Sequence, residues 1–160
     1  MKYGNLVLEK HDFLVTRKFM EVNLALEDYS HKDILEILDS NLDNAIVVDV
    51  DQMPSDIVRL YSNVTVQYSS GWQETLQLVS PGEIDPKENK ISVVSSLGAS
   101  LIGLSQGDTF IHGLPGNAML LKLIKVEQTG KKTILDISEK EFRKLIKWDS
   151  DSLMAKVQES

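Results

Sequence analysis

From about Lys10 the chain reads as helix: Val15, Phe19, Val22 and Leu26 are spaced 4, 3 and 4 apart and form an apolar stripe, with Leu14, Arg17 and Lys18 interleaved. Ahead of it, residues 5–8 suit a short strand or a simple lead-in. Glu27-Asp28-Tyr29-Ser30 interrupts the stripe, and Ser30 followed by Asp33 has the form of an N-cap with an acid in the first helical turn. A second stripe follows at Leu35, Leu38, Leu42 and Ala45, whose spacing of 3, 4 and 3 matches a coiled-coil seam. Lys32, Glu36, Asp39 and Asp43 fall on its outward face. Two amphipathic helices joined by a few polar residues predict an antiparallel helical hairpin. The second helix is expected to end near residues 47–50, because Met53-Pro54 closes it: proline lacks an N–H and forces its predecessor out of the helical region. Residues 51–55 are therefore the expected junction.

Beyond it the period changes to two. Residues 64–68 and 74–79 alternate like strands around a Ser69-Ser70-Gly71 turn. A loop runs from Pro81-Gly82 through Asp85-Pro86-Lys87 to a strand at 91–94. A short helix is expected over 97–102, capped by Ser95 or Ser96 and stopped by Gly103. Gln106-Gly107-Asp108 turns into a strand at 109–112, and Pro115-Gly116-Asn117 turns into the longest strand at 119–126. That order predicts a small antiparallel α+β domain. In the tail, residues 134–137 are expected to add a strand. Ser138-Glu139-Lys140-Glu141 is a capping box opening an amphipathic helix with Phe142, Leu145, Ile146 and Trp148. The expected division is 1–52, 53–128 and 129–160.

Composition narrows the chemistry. There is no cysteine, which excludes disulfides, thiol catalysis and thiolate metal sites and favours a reducing, cytoplasmic address. Apolar runs are too short to span a membrane, and no signal-peptide-length stretch follows Met1. The net charge of −7 is concentrated at one end: residues 1–52 carry eleven acids against five bases, whereas residues 129–160 carry six against seven. An acidic arm is repelled by phosphates, so direct nucleic-acid binding is not expected; docking on a protein, or through a bound cation, is.

The segments that carry most information are Asp51-Gln52-Met53-Pro54-Ser55-Asp56-Ile57-Val58, the block from Lys90 to Gly103 (Lys-Ile-Ser-Val-Val-Ser-Ser-Leu-Gly-Ala-Ser-Leu-Ile-Gly), Gly107-Asp108, and Leu114-Pro115-Gly116. Together they resemble the C-terminal domain of the Gre and Rnk (regulator of nucleoside diphosphate kinase) families, over roughly residues 51–128. Relatives often carry Ser-Pro before the short helix; Ser95-Ser96 stands here instead. The resemblance implies an FKBP-like fold for this domain. It also implies a transcription factor that binds RNA polymerase at the rim of the secondary channel, with the helical arm pointing inward. On that basis Asp85, Ser95, Ser96 and Leu97 are the expected partner contacts, with Glu27 and Asp28 at the hairpin tip. In the Gre branch, tip acids help to hold a catalytic magnesium ion and stimulate transcript cleavage; in the Rnk branch the hairpin is shorter and cleavage is not expected.

Carboxylates are suitable magnesium ligands, and Glu27-Asp28 followed by Tyr29 and His31 echoes the Gre tip. Against catalysis stands length: a helix from Lys10 to Leu24 rises only about 22 Å at ~1.5 Å per residue. The expectation is therefore a Rnk-like regulator, not an enzyme, with no cofactor. The alternatives are a Gre-type cleavage factor using Glu27 and Asp28, and an FKBP-like interaction module with an unrelated partner. Prolyl isomerisation would need an aromatic pocket, for which residues 53–128 offer Tyr61, Tyr68, Trp72 and Phe110. His11, His31 and His112 lack metal-ligand spacing, and no Gly-x-Ser-x-Gly elbow is present. Trp72 and Trp148 are expected to be partly buried packing residues, with partner-binding hot spots as the alternative.

Overall fold

Two short strands frame the N-terminal helices. β1 (Val7–Glu9) is buried along its whole length and pairs in parallel with β2 (Ile46–Val48), Val7 facing Ile46 and Glu9 facing Val48. Between them run α1 (Lys10–Ala25) and α2 (Lys32–Asp43). The computed structural model describes residues 3–25, 32–113 and 116–131. The expected tip acids Glu27 and Asp28, the strand at 134–137 and the tail helix with Phe142, Leu145, Ile146 and Trp148 lie outside those residues.

α1 starts where it does because the Glu9 carboxylate accepts hydrogen bonds from the backbone N–H groups of His11 (2.9 Å) and Asp12 (3.0 Å), satisfying donors that a helix start leaves open. Residues 12–17 of α1 are then buried all round rather than along one stripe, as a helix packed on several sides must be. Arg17, interleaved with the apolar stripe in the sequence, is buried along with it. The side chain is only 2% exposed, lies over the Phe13 ring at 5.5 Å, and reaches α2, donating to Asp43 Oδ1 at 2.8 Å and Asp39 Oδ1 at 3.5 Å. Asp39 and Asp43 thus serve as ties to α1 as well as outward charges.

Leu35, Leu38 and Leu42 of α2 are buried as their spacing predicts. The end of α2 needs correction: the helix stops at Asp43, not at 47–50, and Ala45 is buried just beyond it. The β-branched run Ile46-Val47-Val48 prefers the extended partner offered by β1.

The second part is a five-stranded sheet in the order β5-β4-β3-β7-β6. β3 (Asn63–Gln67) and β4 (Gln73–Val79) form an antiparallel hairpin closed by the Tyr68 N–H to Trp72 carbonyl bond of 2.8 Å. β7 (Met119–Glu127) pairs antiparallel with β3, with a bulge between Thr65 and Val66, and with β6 (Thr109–His112). β5 (Lys90–Ser92), however, runs parallel to β4, so the sheet is mixed and not wholly antiparallel as expected. The cause is the connection: residues 80–89 hold two 3₁₀ turns, Pro81–Glu83 and Pro86–Glu88, and carry the chain back before it re-enters the sheet.

One buried cluster runs through both parts, joining Leu8, Phe13, Met20 and Leu38 to Val64, Leu78, Leu101 and Leu123. At Gly103, where φ is +82°, an added Cβ would come within 3.1 Å of Leu6, so glycine lets the N-terminal segment lie close to the sheet domain. A charged contact reinforces the seam. Arg59 donates from Nε to Asp12 Oδ2 at 3.3 Å, and its Nη2 lies 3.8 Å from Glu9 Oε2, with both carboxylates buried. Asp12 Oδ2 also accepts the Leu60 N–H at 3.3 Å.

Candidate functional site

The surface singled out by the sequence surrounds the short strand β5. On its N-terminal side, Asp85 caps the second 3₁₀ turn, its Oδ1 accepting the Lys87 N–H at 3.1 Å, and Pro86 supplies the fixed φ of the first turn position. Asn89 takes the left-handed conformation at φ 54°, which Asn tolerates, and Asp85 and Lys90 exchange backbone hydrogen bonds of 3.2 and 2.9 Å. On the C-terminal side, the helix α3 (Ser96–Leu101) begins. Of the two candidate caps, Ser95 is the one used: its Oγ accepts the Gly98 N–H at 3.1 Å and donates to the Ser92 carbonyl at 2.6 Å.

Asp85 on one side and Ser95, Ser96 and Leu97 on the other thus flank β5. Their side chains differ in freedom. The carboxylate of Asp85 and the hydroxyl of Ser95 are engaged in local caps, whereas Ser96 and Leu97 are half-buried in the first turn of α3. Ile84, 52% exposed beside Asp85, is an apolar contact that the sequence did not flag. Its only signal was position, an isolated Ile in a polar loop.

Next to this surface sits a small ionic cluster. Tyr61, at φ 70°, donates from its hydroxyl to Glu83 Oε1 at 2.5 Å; Ser80 Oγ donates to the same oxygen at 2.7 Å, and Lys131 Nζ lies 3.0 Å from Oε2 and 4.3 Å above the Tyr61 ring. Burial pushes the Tyr61 phenol up, helped by the hydrogen bond and charge of Glu83, to about 12. Burial also pushes the Glu83 carboxyl up, but hydrogen bonds from Tyr61, Ser80 and Lys131, with the Lys131 charge, outweigh it and hold it at about 2.

A pH dependence follows. Glu83 contributes stability that is fully present above about pH 4.5 and is lost as pH falls through about 2. Tyr61 contributes stability that is fully present below about pH 10 and is lost as pH rises through about 12. Urea midpoints of the native chain and Glu83→Gln should therefore converge on acidification from pH 4.5 towards 2. A gap that stays constant over that interval would show that the cluster is not coupled to folding.

At the β3–β4 turn, Trp72 is 61% exposed and tilts against Tyr68 with ring centroids 5.1 Å apart, which corrects the expectation that it is partly buried. Tyr68 donates to Glu74 Oε2 at 2.9 Å. Among the described residues no three His, Asp or Glu side chains gather as metal ligands. His11 is held by Glu9 at 2.8 Å, His112 lies on β6 with its pKa lowered by burial, and His31 is outside the described residues.

Comparison with known proteins agrees with this architecture. A family model for the C-terminal part of the transcription elongation factors GreA and GreB matches residues 53–128. The transcription elongation factor GreA of Geobacillus kaustophilus is 34% identical over 94 residues, which cover 58% of this chain and 60% of that protein. The regulator of nucleoside diphosphate kinase of Escherichia coli K12 is 31% identical over 110 residues, covering 66% of this chain and 81% of that protein. A solved prokaryotic elongation factor GreA/GreB from Nitrosomonas europaea superposes with a TM-score of 0.59 at 26% identity, covering 77% of this chain and 98% of the other. The match to GreA thus spans about three-fifths of that protein's length, and the match to the kinase regulator about four-fifths.

Proposed function

Since the chain belongs to the Gre/Rnk family, which shares the C-terminal domain of the elongation factors GreA and GreB, we propose that it is a Rnk-like regulator that binds RNA polymerase without stimulating transcript cleavage. In this reading residues 53–128 form an FKBP-like docking domain that grips the rim of the secondary channel. Residues 1–52 form a short helical hairpin pointing inward, and residues 129–160 are an extension. The surface around β5, with Ile84, Asp85, Ser96 and Leu97, meets the polymerase, while Glu27 and Asp28 at the tip act as plug contacts. A cytoplasmic location follows from that partner.

The observation that carries the absence of cleavage is how much of α1 is spent on the core. The helix has 16 residues, about 24 Å at ~1.5 Å per residue. Its side chains from Asp12 to Arg17, and again at Met20, are buried against the rest of the molecule. Only the remainder can project into a channel. An arm rooted so deeply suits occupation of the entrance better than delivery of two carboxylates to a distant metal.

The test is binding of the purified chain to core RNA polymerase, followed by a cleavage assay on stalled elongation complexes. Binding with no added cleavage is expected, and Glu27→Gln with Asp28→Asn should leave the cleavage background unchanged. Cleavage abolished by that pair would move the chain to the Gre type, and a folded sample that does not bind would end the polymerase reading. Ile84→Asp should weaken binding by about tenfold or more, the consequence of losing one interface side chain worth over 1 kcal/mol, with no change in thermal stability.

A further inference from the structure

Tyr61 is held in a conformation that bulky residues avoid. Its φ of 70° lies in the left-handed region, which persists at such a residue only where the surroundings over-determine it. Here they do so from two directions. The Tyr61 N–H donates to the Leu78 carbonyl of β4 at 2.6 Å, and its own carbonyl accepts from Gln77 Nε2 of β4 at 3.2 Å and from Thr129 Oγ1, just past β7, at 2.9 Å. The backbone fixed in this way aims the phenol at Glu83. Strain kept in place by several independent bonds marks a position whose side-chain direction matters.

Glu83 ends the first 3₁₀ turn and immediately precedes Ile84 and Asp85. Its carboxylate takes one donor from each of three segments: Tyr61 ahead of β3, Ser80 at the start of the loop, and Lys131 beyond β7. On the far side, Asp85 and Lys90 exchange backbone hydrogen bonds. Ile84 is thus presented to solvent between two anchored neighbours. We propose that Tyr61 is a positioning residue for polymerase docking, acting through Glu83 to hold Ile84 and Asp85 in their bound arrangement before the partner arrives, a role that rests on the polymerase reading above. Tyr61 is itself buried, so it works through the loop and not by touching the partner. A loop fixed in advance has little freedom left to lose on binding, whereas a loose one loses it at the interface and weakens the complex.

Two measurements on the full chain test it. Tyr61→Phe keeps the ring and the backbone bonds and removes only the hydroxyl. In that variant the amide hydrogens of Glu83 and Asp85, which donate to the Ser80 and Lys90 carbonyls, should exchange faster by about fivefold or more. Affinity for core RNA polymerase should fall by about fivefold to tenfold, because ordering of the loop is moved into the binding step. In an Ile84→Asp background the same change should cost less than about twofold, since a residue that acts through the loop has nothing left to position. Lys131→Met removes another donor to the same carboxylate from an exposed position. It should weaken binding in the same direction, again without effect beside Ile84→Asp. Unchanged exchange at Glu83 and Asp85, or a Tyr61→Phe chain that binds as tightly as the native one, would overturn the inference and leave the polymerase reading intact. Equal losses in both backgrounds would overturn it too, by making Tyr61 a purely structural residue. A native chain that does not bind, or binding indifferent to Ile84→Asp, would end the docking assignment itself and the inference with it.

Discussion

Arg59→Ala is expected to destabilise the chain by about 3–5 kcal/mol, the cost of removing one partner from a buried ion pair. The guanidinium is the cation facing two carboxylates, Asp12 and Glu9, which have relative exposures of 0% and 3%. Removing it takes a cation away from two carboxylates that stay buried in the seam between the N-terminal helices and the sheet, held there by neutral backbone donors and, for Glu9, by His11. Arg59→Lys should recover only part of the loss, because a single ammonium cannot fork towards both acids. The decisive comparison is the triple variant Glu9→Gln, Asp12→Asn, Arg59→Met. If buried charge is the cause, its urea midpoint should lie well above that of Arg59→Ala. If it lies at or below that value, Arg59 acts by packing alone.

Gly98→Ala should be nearly as costly. An added Cβ would stand 1.9 Å from the Ser92 carbonyl oxygen and 3.0 Å from Leu78 Cδ1. The first neighbour is backbone and already accepts from the Ser95 N–H and hydroxyl, so it cannot withdraw without undoing the cap of α3. Overpacking costs typically 1–3 kcal/mol and occasionally more, and about 3 kcal/mol is expected here. Gly82→Ala is the control: nothing lies within 4 Å of its Cβ, and the change should be within about 0.5 kcal/mol. Chemical denaturation of both variants decides the matter; a Gly98→Ala chain as stable as Gly82→Ala would mean that α3 can slide off β5 freely. In the function proposed above Ser96 and Leu97 meet the polymerase, and on that reading binding should weaken alongside stability.

Local chemistry made much of this legible in advance. The alternation at 64–68 and 74–79 marks β3 and β4 to within one residue, since each strand has one buried face. Ser95 and Gly103 bound α3 because a cap and a left-handed stop are encoded by single residues. What escaped was long-range. Nothing in the order of residues announces that β5 returns parallel to β4, because pairing direction is set by the path of the intervening loop. The burial of Arg17 has no local signal because its partners, Asp39 and Asp43, stand 22 and 26 positions away. The candidate site divides the same way. Asp85, Ser95, Ser96 and Leu97 were named by resemblance, and a serine cap at Ser95 or Ser96 by residue type, whereas the Asp85 cap, Ile84 and the Tyr61–Glu83–Lys131 cluster depend on the three-dimensional fold.

The continuity of the hydrophobic cluster across the junction has an evolutionary consequence. A domain that carries its own closed core can be moved between genes as a cassette. Here Leu8, Phe13 and Leu38 belong to the same buried cluster as Leu78, Leu101 and Leu123, so neither part can be lifted out without baring its neighbour's interior. The arm and the sheet must therefore have changed in step. Lengthening the arm is open to selection only at its far end, beyond the buried turns of α1, while its root stays fixed.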